Sequence, residues 1–109
     1  MTRFTVELTD ARIAGDARGD DPQGNRPRAV FLHGFGGSGA DWDRVWAALP
    51  TDFAVLRYDQ RGFGGSAAVA GVPYSHVADL LALLDACGIG QADLIGLSQG
   101  GSVACHFAL

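Results

Sequence analysis

The stretch Gly96-Leu97-Ser98-Gln99-Gly100 decides the fold of this chain because of what stands on either side of it. The apolar run at residues 92–95 precedes it, and small and apolar residues follow at 101–105. A strand, a sharp turn centred on a serine and then a helix form the setting of a G-x-S-x-G nucleophile elbow. Glycines flank the serine because a Cβ on either side would collide with the neighbouring strand or helix. The pattern therefore predicts a serine hydroxyl exposed at the C-terminal edge of a sheet.

The composition allows a hydrophobic core and argues against several classes of partner. The 109 residues fit one domain or part of one, and 48% of them are apolar. The net charge of −4 argues against nucleic-acid binding, since Arg57 and Arg61 are too few to form a basic patch. No apolar run is long enough to span a membrane, and the N-terminal residues lack a signal-peptide core. We therefore expect a cytoplasmic protein with no nucleic-acid or membrane partner.

The cysteines and histidines give no reason to expect a metal or another cofactor. Cys87 and Cys105 both occur in apolar, helix-like segments, which indicates two reduced and buried thiols rather than a disulfide. No spacing of cysteine and histidine fits a zinc site. We expect the chain to carry neither a metal nor a cofactor.

Apolar patterning predicts where the strands lie. Alternation over residues 4–8 indicates a strand with one buried face, residues 11–14 can return as a short second strand, and residues 15–27 are typical of a surface loop. A continuous apolar run, as found in a parallel strand covered on both faces, predicts a strand at residues 29–32. Residues 53–58 and 92–97 are predicted as the next two strands.

Two helices are predicted between these strands. Asp41 can cap the first, and the residues that would share its buried face are Trp42, Val45, Trp46 and Leu49. Ser75 can cap the second and Gly88 can end it, and its predicted buried face consists of Val77, Leu80, Leu81 and Leu84. Strands that alternate with helices argue for an α/β fold, with a mostly parallel sheet and flanking helices.

The pentapeptide Gly-Phe-Gly-Gly-Ser occurs twice, at residues 34–38 and 62–66, each time just after a predicted strand. The flanking sequences show no other similarity, so we interpret both copies as flexible loops at the C-terminal edge of the sheet. The first loop matters for chemistry, because a serine that attacks a carbonyl creates an oxyanion that two fixed N–H groups can stabilise. The N–H of Gln99 is the natural first donor, and the N–H of Phe35 is where the second should lie.

Three segments together resemble successive signatures of the α/β-hydrolase superfamily. They are Leu32–Ser38, Tyr58–Ser66 and Gly96–Gly101, and they occur in that family's order and spacing. The resemblance begins near residue 29 and runs to residue 109. It implies a serine hydrolase of the esterase or lactonase type, whose substrate is a small ester or lactone. Relatives that dehalogenate alkyl halides or open epoxides carry aspartate where this chain has Ser98.

The same resemblance implies a role for individual residues. Ser98 would be the nucleophile, and the backbone N–H groups of Phe35 and Gln99 would form the oxyanion hole. Supporting roles in the two loops would fall to His33, Gly34, Gly36, Gly96 and Gly100. His33 would shape its loop rather than act as the catalytic base.

The triad acid and histidine of this family lie well downstream of the nucleophile, beyond Leu109. His33 is interpreted as a residue that shapes a loop corner through its hydrogen bonds. His76 is predicted to lie near the surface at the start of a helix. His106 is about 12 Å along the helix from Ser98, outside hydrogen-bond reach. We therefore expect residues 1–109 to be the N-terminal portion of one incomplete α/β-hydrolase domain, truncated after the elbow. Such a chain would be a carboxylic ester hydrolase only when a C-terminal half completes it, and would be inactive alone.

Two other functions are kept as alternatives. The chain could be a non-catalytic hydrolase fragment whose exposed strand 92–97 pairs with itself or with a complementing C-terminal chain. It could also be a dinucleotide-binding module, since residues 34–39 match G-x-G-x-x-G and Asp59 stands near the distance expected for a ribose contact. Asp41 and Asp43 weigh against the second alternative, because they place negative charge where a pyrophosphate would bind.

Overall fold

The structure is a computed structural model that describes residues 2–19 and 28–109. Its strands are β1 (Thr2–Glu7), β2 (Ala11–Arg18), β3 (Arg28–Leu32), β4 (Val55–Tyr58), β5 (Ala67–Ala68) and β6 (Ala92–Gly96). Its helices are a short 3-10 helix (Gly39–Trp42) and the α-helices α1 (Asp43–Ala48), α2 (His76–Ala86) and α3 (Gln99–Ala108). From β3 onward, helices separate the strands β3, β4 and β6 along the chain, which confirms the predicted α/β class.

One sheet contains all six strands. Its order is β1-β2-β4-β3-β6, and β5 pairs separately with β2. The strands β3, β4 and β6 run parallel, whereas β1 and β2 are antiparallel to their neighbours. The carboxyl ends of β3, β4 and β6 therefore meet at one edge. This edge carries the β3 loop (residues 33–39), the β4 loop (residues 59–66) and the turn between β6 and α3.

Both faces of the sheet are covered. Val30 and Leu32 of β3 point to the face covered by α2 and α3, where Leu80, Leu83 and Val103 are buried. Phe31 points to the opposite face and packs against Trp46 of α1. Because successive strand residues alternate between faces, a strand covered on both sides must be apolar throughout. This explains the continuous apolar run that predicted β3.

The helix α2 begins and ends where its sequence predicts. The Ser75 hydroxyl accepts a hydrogen bond from the Ala78 N–H, and Gly88 has a φ of 68° just beyond the helix. The N–H groups of Gly88 and Ile89 bond to the carbonyls of Asp85 and Leu84, as in a Schellman motif. The buried face differs in one position from the prediction. Leu83 is fully buried, whereas Leu81 is 51% exposed.

The predicted cap of the first helix is wrong by one turn. Ser38 is the N-cap, and Asp41 is its partner in a capping box at the start of the 3-10 helix. The α-helical turns begin only at Asp43. Trp46 is buried as predicted, but Val45 is 40% exposed and lies off the buried face.

The strand β2 is twice as long as predicted, because residues 15–18 continue it instead of opening a loop. Gly15 lies opposite Phe4 and Tyr58 in the neighbouring strands, and a Cβ there would lie 2.5 Å from the Arg57 carbonyl oxygen. Asp16 is buried because it pairs with Arg57, whose Nε lies 3.2 Å from its carboxylate. Long-range partners thus stabilise strand residues of low strand propensity. Residues 20–27 of the predicted loop lie outside the described residues.

Both cysteines are free but exposed, so the prediction of two buried thiols is wrong. Cys87 is the C-cap of α2, where the chain turns toward solvent. Cys105 lies on a face of α3 that contributes to a groove of about 670 Å³ between α2, α3 and β6. Its apolar lining includes Leu81, Leu84, Ile89, Leu94 and Phe107. Among the described strands, β6 pairs only with β3.

Ser66 links the β4 loop to β2 through hydrogen bonds of its side chain. Its buried hydroxyl donates to the Asp59 carbonyl oxygen (2.6 Å) and accepts from the Ala14 N–H (2.9 Å). Because Ser66→Ala leaves both backbone groups buried without a partner, we expect the free energy of unfolding to fall by about 2 kcal/mol. Urea denaturation measures this change. Ser102→Ala, at an exposed serine, should change stability by less than about 0.5 kcal/mol, and equal losses in the two variants would contradict the prediction.

Candidate active site

The turn between β6 and α3 holds Ser98 in an unusual backbone conformation. Its φ is 55° and its ψ is −115°, and among the described residues it is the only non-glycine with a positive φ. Such conformations cost about 1–3 kcal/mol and persist where the surrounding structure enforces them. Ser98 is exposed at the carboxyl end of the parallel strands, and α3 begins at the next residue. This is the geometry that the G-x-S-x-G pattern predicts.

Two glycines leave room for this turn. A Cβ on Gly96 would overlap the backbone of Gly100 and Gly101, because the start of α3 passes directly over the end of β6. A Cβ on Gly100 would overlap the Leu32 carbonyl oxygen and lie 2.6 Å from that of His33. The first turn of α3 is therefore packed against the end of β3 without an intervening side chain.

The β3 loop lies against the serine turn. The Leu97 N–H donates to the Leu32 carbonyl oxygen (3.0 Å), which extends the pairing of β3 and β6 to the turn itself. An ideal Cβ on Gly34 would lie 3.4 Å from the Ser98 Cβ. Within the loop, the Gly37 N–H donates to the Gly34 carbonyl oxygen (3.1 Å), and Gly36 has a φ of 78°. The loop is thus a tight turn whose first residues adjoin Ser98.

The two expected oxyanion donors are unoccupied N–H groups. Gln99 is the first residue of α3, and the first N–H groups of a helix have no intrahelical acceptor. Phe35 follows Gly34, and no backbone hydrogen bond between described residues uses its N–H. Both groups are therefore available to donate to a ligand, one from the β3 loop and one from the first turn of α3. Their role as an oxyanion hole stays a prediction.

The β3 loop and the serine turn each carry an exposed apolar side chain. Phe35 is 79% exposed and Leu97 is 53% exposed. The ring of Phe35 contacts that of Phe63 edge-on, with centroids 5.5 Å apart. These two phenylalanines occupy the same position in the two Gly-Phe-Gly-Gly-Ser copies, so the copies meet through their aromatic residues. An apolar rim of this kind suits an acyl or alkyl group better than an ion.

His33 is buried and both of its ring nitrogens have partners. Its Nε2 accepts from the Gln60 N–H (2.8 Å), and its Nδ1 lies 2.7 Å from the Gly34 carbonyl oxygen. A carbonyl oxygen only accepts, so Nδ1 carries the proton and Nε2 has no free lone pair. His33 therefore has no nitrogen available to deprotonate Ser98.

The other two histidines lie elsewhere. His76 is the first residue of α2, and burial lowers the pKa of its ring. His106 is exposed, and its Nδ1 lies 2.8 Å from the Ser102 carbonyl oxygen. No hydrogen bond to the Ser98 hydroxyl occurs within residues 2–19 and 28–109. The described residues bring a serine and two N–H groups together, without a histidine that contacts the serine.

The dinucleotide alternative fits this geometry poorly. The Asp59 carboxylate, its expected ribose contact, is buried and accepts from the N–H groups of Gly39 (2.7 Å) and Gly65 (2.8 Å). Gly39 is the first residue of the 3-10 helix, where a pyrophosphate would need a free N–H group. The Gly39 N–H already donates to the Asp59 carboxylate. Gln60 was given no role from the sequence, although it holds His33 through two hydrogen bonds. Its place at the start of the β4 loop, two residues after the end of β4, was the available signal.

No helix within the described residues has the length and apolar character needed to cross a bilayer. In the same residues, no group of three or more His, Cys, Asp or Glu side chains is arranged to hold a metal ion.

Comparison with known proteins gives consistent matches. The family model described as alpha/beta hydrolase fold matches residues 27–109. A Caulobacter sp. (strain K31) protein, provisionally named carbamate hydrolase RutD, is 35% identical over 91 residues, which cover 81% of this chain and 34% of that protein. The 2-succinyl-6-hydroxy-2,4-cyclohexadiene-1-carboxylate synthase of Klebsiella pneumoniae subsp. pneumoniae is 41% identical over 90 residues, or 82% of this chain and 35% of the enzyme.

A solved structure agrees with these sequence matches. A hydrolase from Pseudomonas aeruginosa PA01 superimposes with a TM-score of 0.84 at 34% identity, covering 98% of this chain and 40% of that structure. The chain thus spans about a third of the length of the curated relatives that it matches.

Proposed function

The chain belongs to the alpha/beta hydrolase fold family, and on that premise we propose that it supplies the nucleophile and the oxyanion hole of a serine hydrolase. The substrates are carboxylic esters or lactones. The observation that carries the proposal is the exposed Ser98, held at a positive φ on a strand-to-helix turn beside two unoccupied N–H groups. The serine is strained in this conformation, and the surrounding glycines leave the space that the turn needs.

In the proposed reaction, the Ser98 Oγ attacks the carbonyl carbon of the substrate. The carbonyl oxygen becomes an oxyanion that accepts hydrogen bonds from the N–H groups of Phe35 and Gln99. The bond to the alcohol oxygen then breaks, the alcohol leaves with a proton, and Ser98 is acylated. Water hydrolyses the acyl ester and restores the serine.

The base that accepts the Ser98 proton, and the acid that orients it, lie in our proposal outside residues 1–109. Two observations support this assignment. His33 has no free ring nitrogen, and the Nδ1 of His106 is engaged with Ser102. A C-terminal segment of the same protein, or a second chain, would then complete the enzyme. One side of β6 pairs with no described strand, and this side and the groove next to it offer a place for further polypeptide to pack.

The relatives' names are compatible with this chemistry. One is provisionally named a carbamate hydrolase, and carbamates, like esters, are attacked at a carbonyl carbon. The same serine and N–H groups could serve a carbamate, so we propose esters and lactones first and regard carbamates as a neighbouring substrate class.

A fluorophosphonate probe tests the proposal directly. In the enzyme completed by the polypeptide that carries the base, intact mass spectrometry before and after treatment should show one adduct, and peptide mapping should locate it on Ser98. Ser102→Ala should be labelled like the wild type, whereas Ser98→Ala should not be labelled. The absence of an adduct on the wild-type protein would overturn the enzymatic proposal and favour the alternative, a non-catalytic fragment that acts through its exposed sheet edge.

A further inference from the structure

We propose that Asp59 and Gln60, two consecutive residues after β4, are positioning residues that hold the β3 loop at both of its ends. The inference rests on the proposed function, because the β3 loop carries the Phe35 N–H. Neither residue contacts Ser98 through a hydrogen bond between described residues. Their effect would therefore pass through the backbone of the loop.

Asp59 holds the far end of the loop. Its Oδ1 accepts from the Gly39 N–H (2.7 Å) and its Oδ2 accepts from the Gly65 N–H (2.8 Å). The side chain is buried, and hydrogen bonds to an ionised acceptor are roughly twice as strong as those between neutral groups. A single carboxylate thus ties the β3 loop to the β4 loop. Arg3 lies 3.9 Å from the same carboxylate at the exposed side.

Gln60 holds the near end. Its backbone N–H donates to the His33 Nε2 (2.8 Å), and its side-chain amide donates to the His33 carbonyl oxygen (2.6 Å). Gln60 and His33 are both buried, at 1% and 0% exposure. The first residue of the loop is therefore fixed through its ring and its backbone together.

The glycines of both loops form the space that the carboxylate occupies. A Cβ on Gly64, whose φ is 52°, would overlap the Asp59 carboxylate. A Cβ on Gly39 would lie 3.2 Å from Oδ1. The backbones of both loops thus approach one buried carboxylate closely. This close approach explains why glycine occupies both positions, which loop flexibility alone does not explain.

Phe35 lies between the two anchors, two residues from His33 and four from Gly39. Donors stabilise a transition state only when they are held in place before the reaction, and a displacement of about 1 Å can cost about 100-fold in rate. Loss of either anchor should therefore lower kcat more than it raises KM. A residue that only stabilised the fold would change neither.

The test uses the enzyme completed by the polypeptide that carries the base and the acid, and it compares Asp59→Asn and Gln60→Glu with Asp79→Asn. In Asp59→Asn, the amide NH₂ faces a backbone N–H, so one of the two loop contacts is lost. In Gln60→Glu, the carboxylate cannot donate to the His33 carbonyl. Asp79→Asn is the matched control, since Asp79 is equally buried but pairs with Arg61 (2.9 Å), away from the β3 loop.

We expect kcat for a p-nitrophenyl ester to fall about 10- to 100-fold in both loop variants, with KM within about twofold of the wild type. Amide exchange at Gly39 or Gly65 should accelerate at least about tenfold in Asp59→Asn. Asp79→Asn should lose thermal stability and keep the wild-type exchange at both glycines. Wild-type exchange at Gly39 and Gly65 in Asp59→Asn, or kcat within about twofold in both loop variants, would overturn the inference.

Ser98→Ala separates this inference from the proposed function. If, in the enzyme completed by the polypeptide that carries the base and the acid, Ser98→Ala hydrolyses the ester as fast as the wild type, or if that completed wild type shows no hydrolysis, the proposed function fails. The amide exchange then still decides whether Asp59 holds the two loops together. If Ser98→Ala is inactive while both loop variants are fully active, only the positioning role fails.

Discussion

In the enzyme completed by the polypeptide that carries its base and acid, replacing Ser98 with alanine is expected to lower kcat for ester hydrolysis by about 10⁴-fold or more while leaving the fold intact. Loss of the nucleophile removes the acylation step altogether, and in a serine protease it costs about 10⁶ in kcat. Ser98 is exposed, and no hydrogen bond between described residues uses its hydroxyl, so the substitution breaks no buried contact. Steady-state hydrolysis of a p-nitrophenyl ester gives kcat, and thermal unfolding of the same sample reports stability.

Ser102→Ala is the matched control for this experiment. Ser102 is also exposed and lies one turn later on α3, where its hydroxyl is 3.3 Å from the His106 Nδ1. It should retain kcat within about twofold. Retention of more than a tenth of the wild-type kcat by Ser98→Ala would show that another group attacks the substrate.

Gly100→Ala is expected to destabilise the protein by about 3 kcal/mol and to remove its activity at the same time. The added methyl group would overlap the Leu32 carbonyl oxygen, and backbone atoms cannot turn aside as a flexible side chain can. Relief of the overlap requires α3 to move away from β3, which displaces both Ser98 and the Gln99 N–H. Chemical denaturation measures the stability, and phosphonate labelling of Ser98 reports whether the turn is still formed.

The neighbouring Gly101→Ala isolates the steric cause. A Cβ at Gly101 would lie 3.4 Å from the Gly96 carbonyl oxygen, an ordinary van der Waals contact. Alanine is preferred over glycine inside a helix by up to about 1 kcal/mol, so this variant should be as stable as the wild type or more so. If the two substitutions destabilise the protein equally, helix α3 tolerates no side chain at either position. Contact with β3 would then not be the cause of the destabilisation.

Much of the fold could be predicted because its signals are local. The strand β3 is a continuous apolar run, α2 has a capping serine and a terminal glycine, and the serine turn has glycines at fixed positions. Each of these features depends on residues within a few positions of one another. The arrangement of three loops at one edge then follows from the parallel order of the strands.

The features that could not be predicted depend on contacts between distant residues. Residues 15–18 have the composition of a loop but form a strand, because β1 and β4 pair with them on either side. Cys105 and Leu81 look like core residues in a helical pattern, yet both face the groove beside β6. The same limit applies to the active-site edge, where the partners of Gln60 and Asp59 are 27 and 20 residues away.

The backbone at Ser98 also bears on how this sequence can change over evolutionary time. A glycine at position 98 would adopt a φ of 55° without the strain that serine pays, which is about 1–3 kcal/mol. Selection for stability alone would therefore replace the serine, and only selection for what its hydroxyl does would keep it. At position 98, selection for stability and selection for activity thus favour different residues. A descendant protein that is no longer selected for catalysis should lose the serine at this position before it loses the fold.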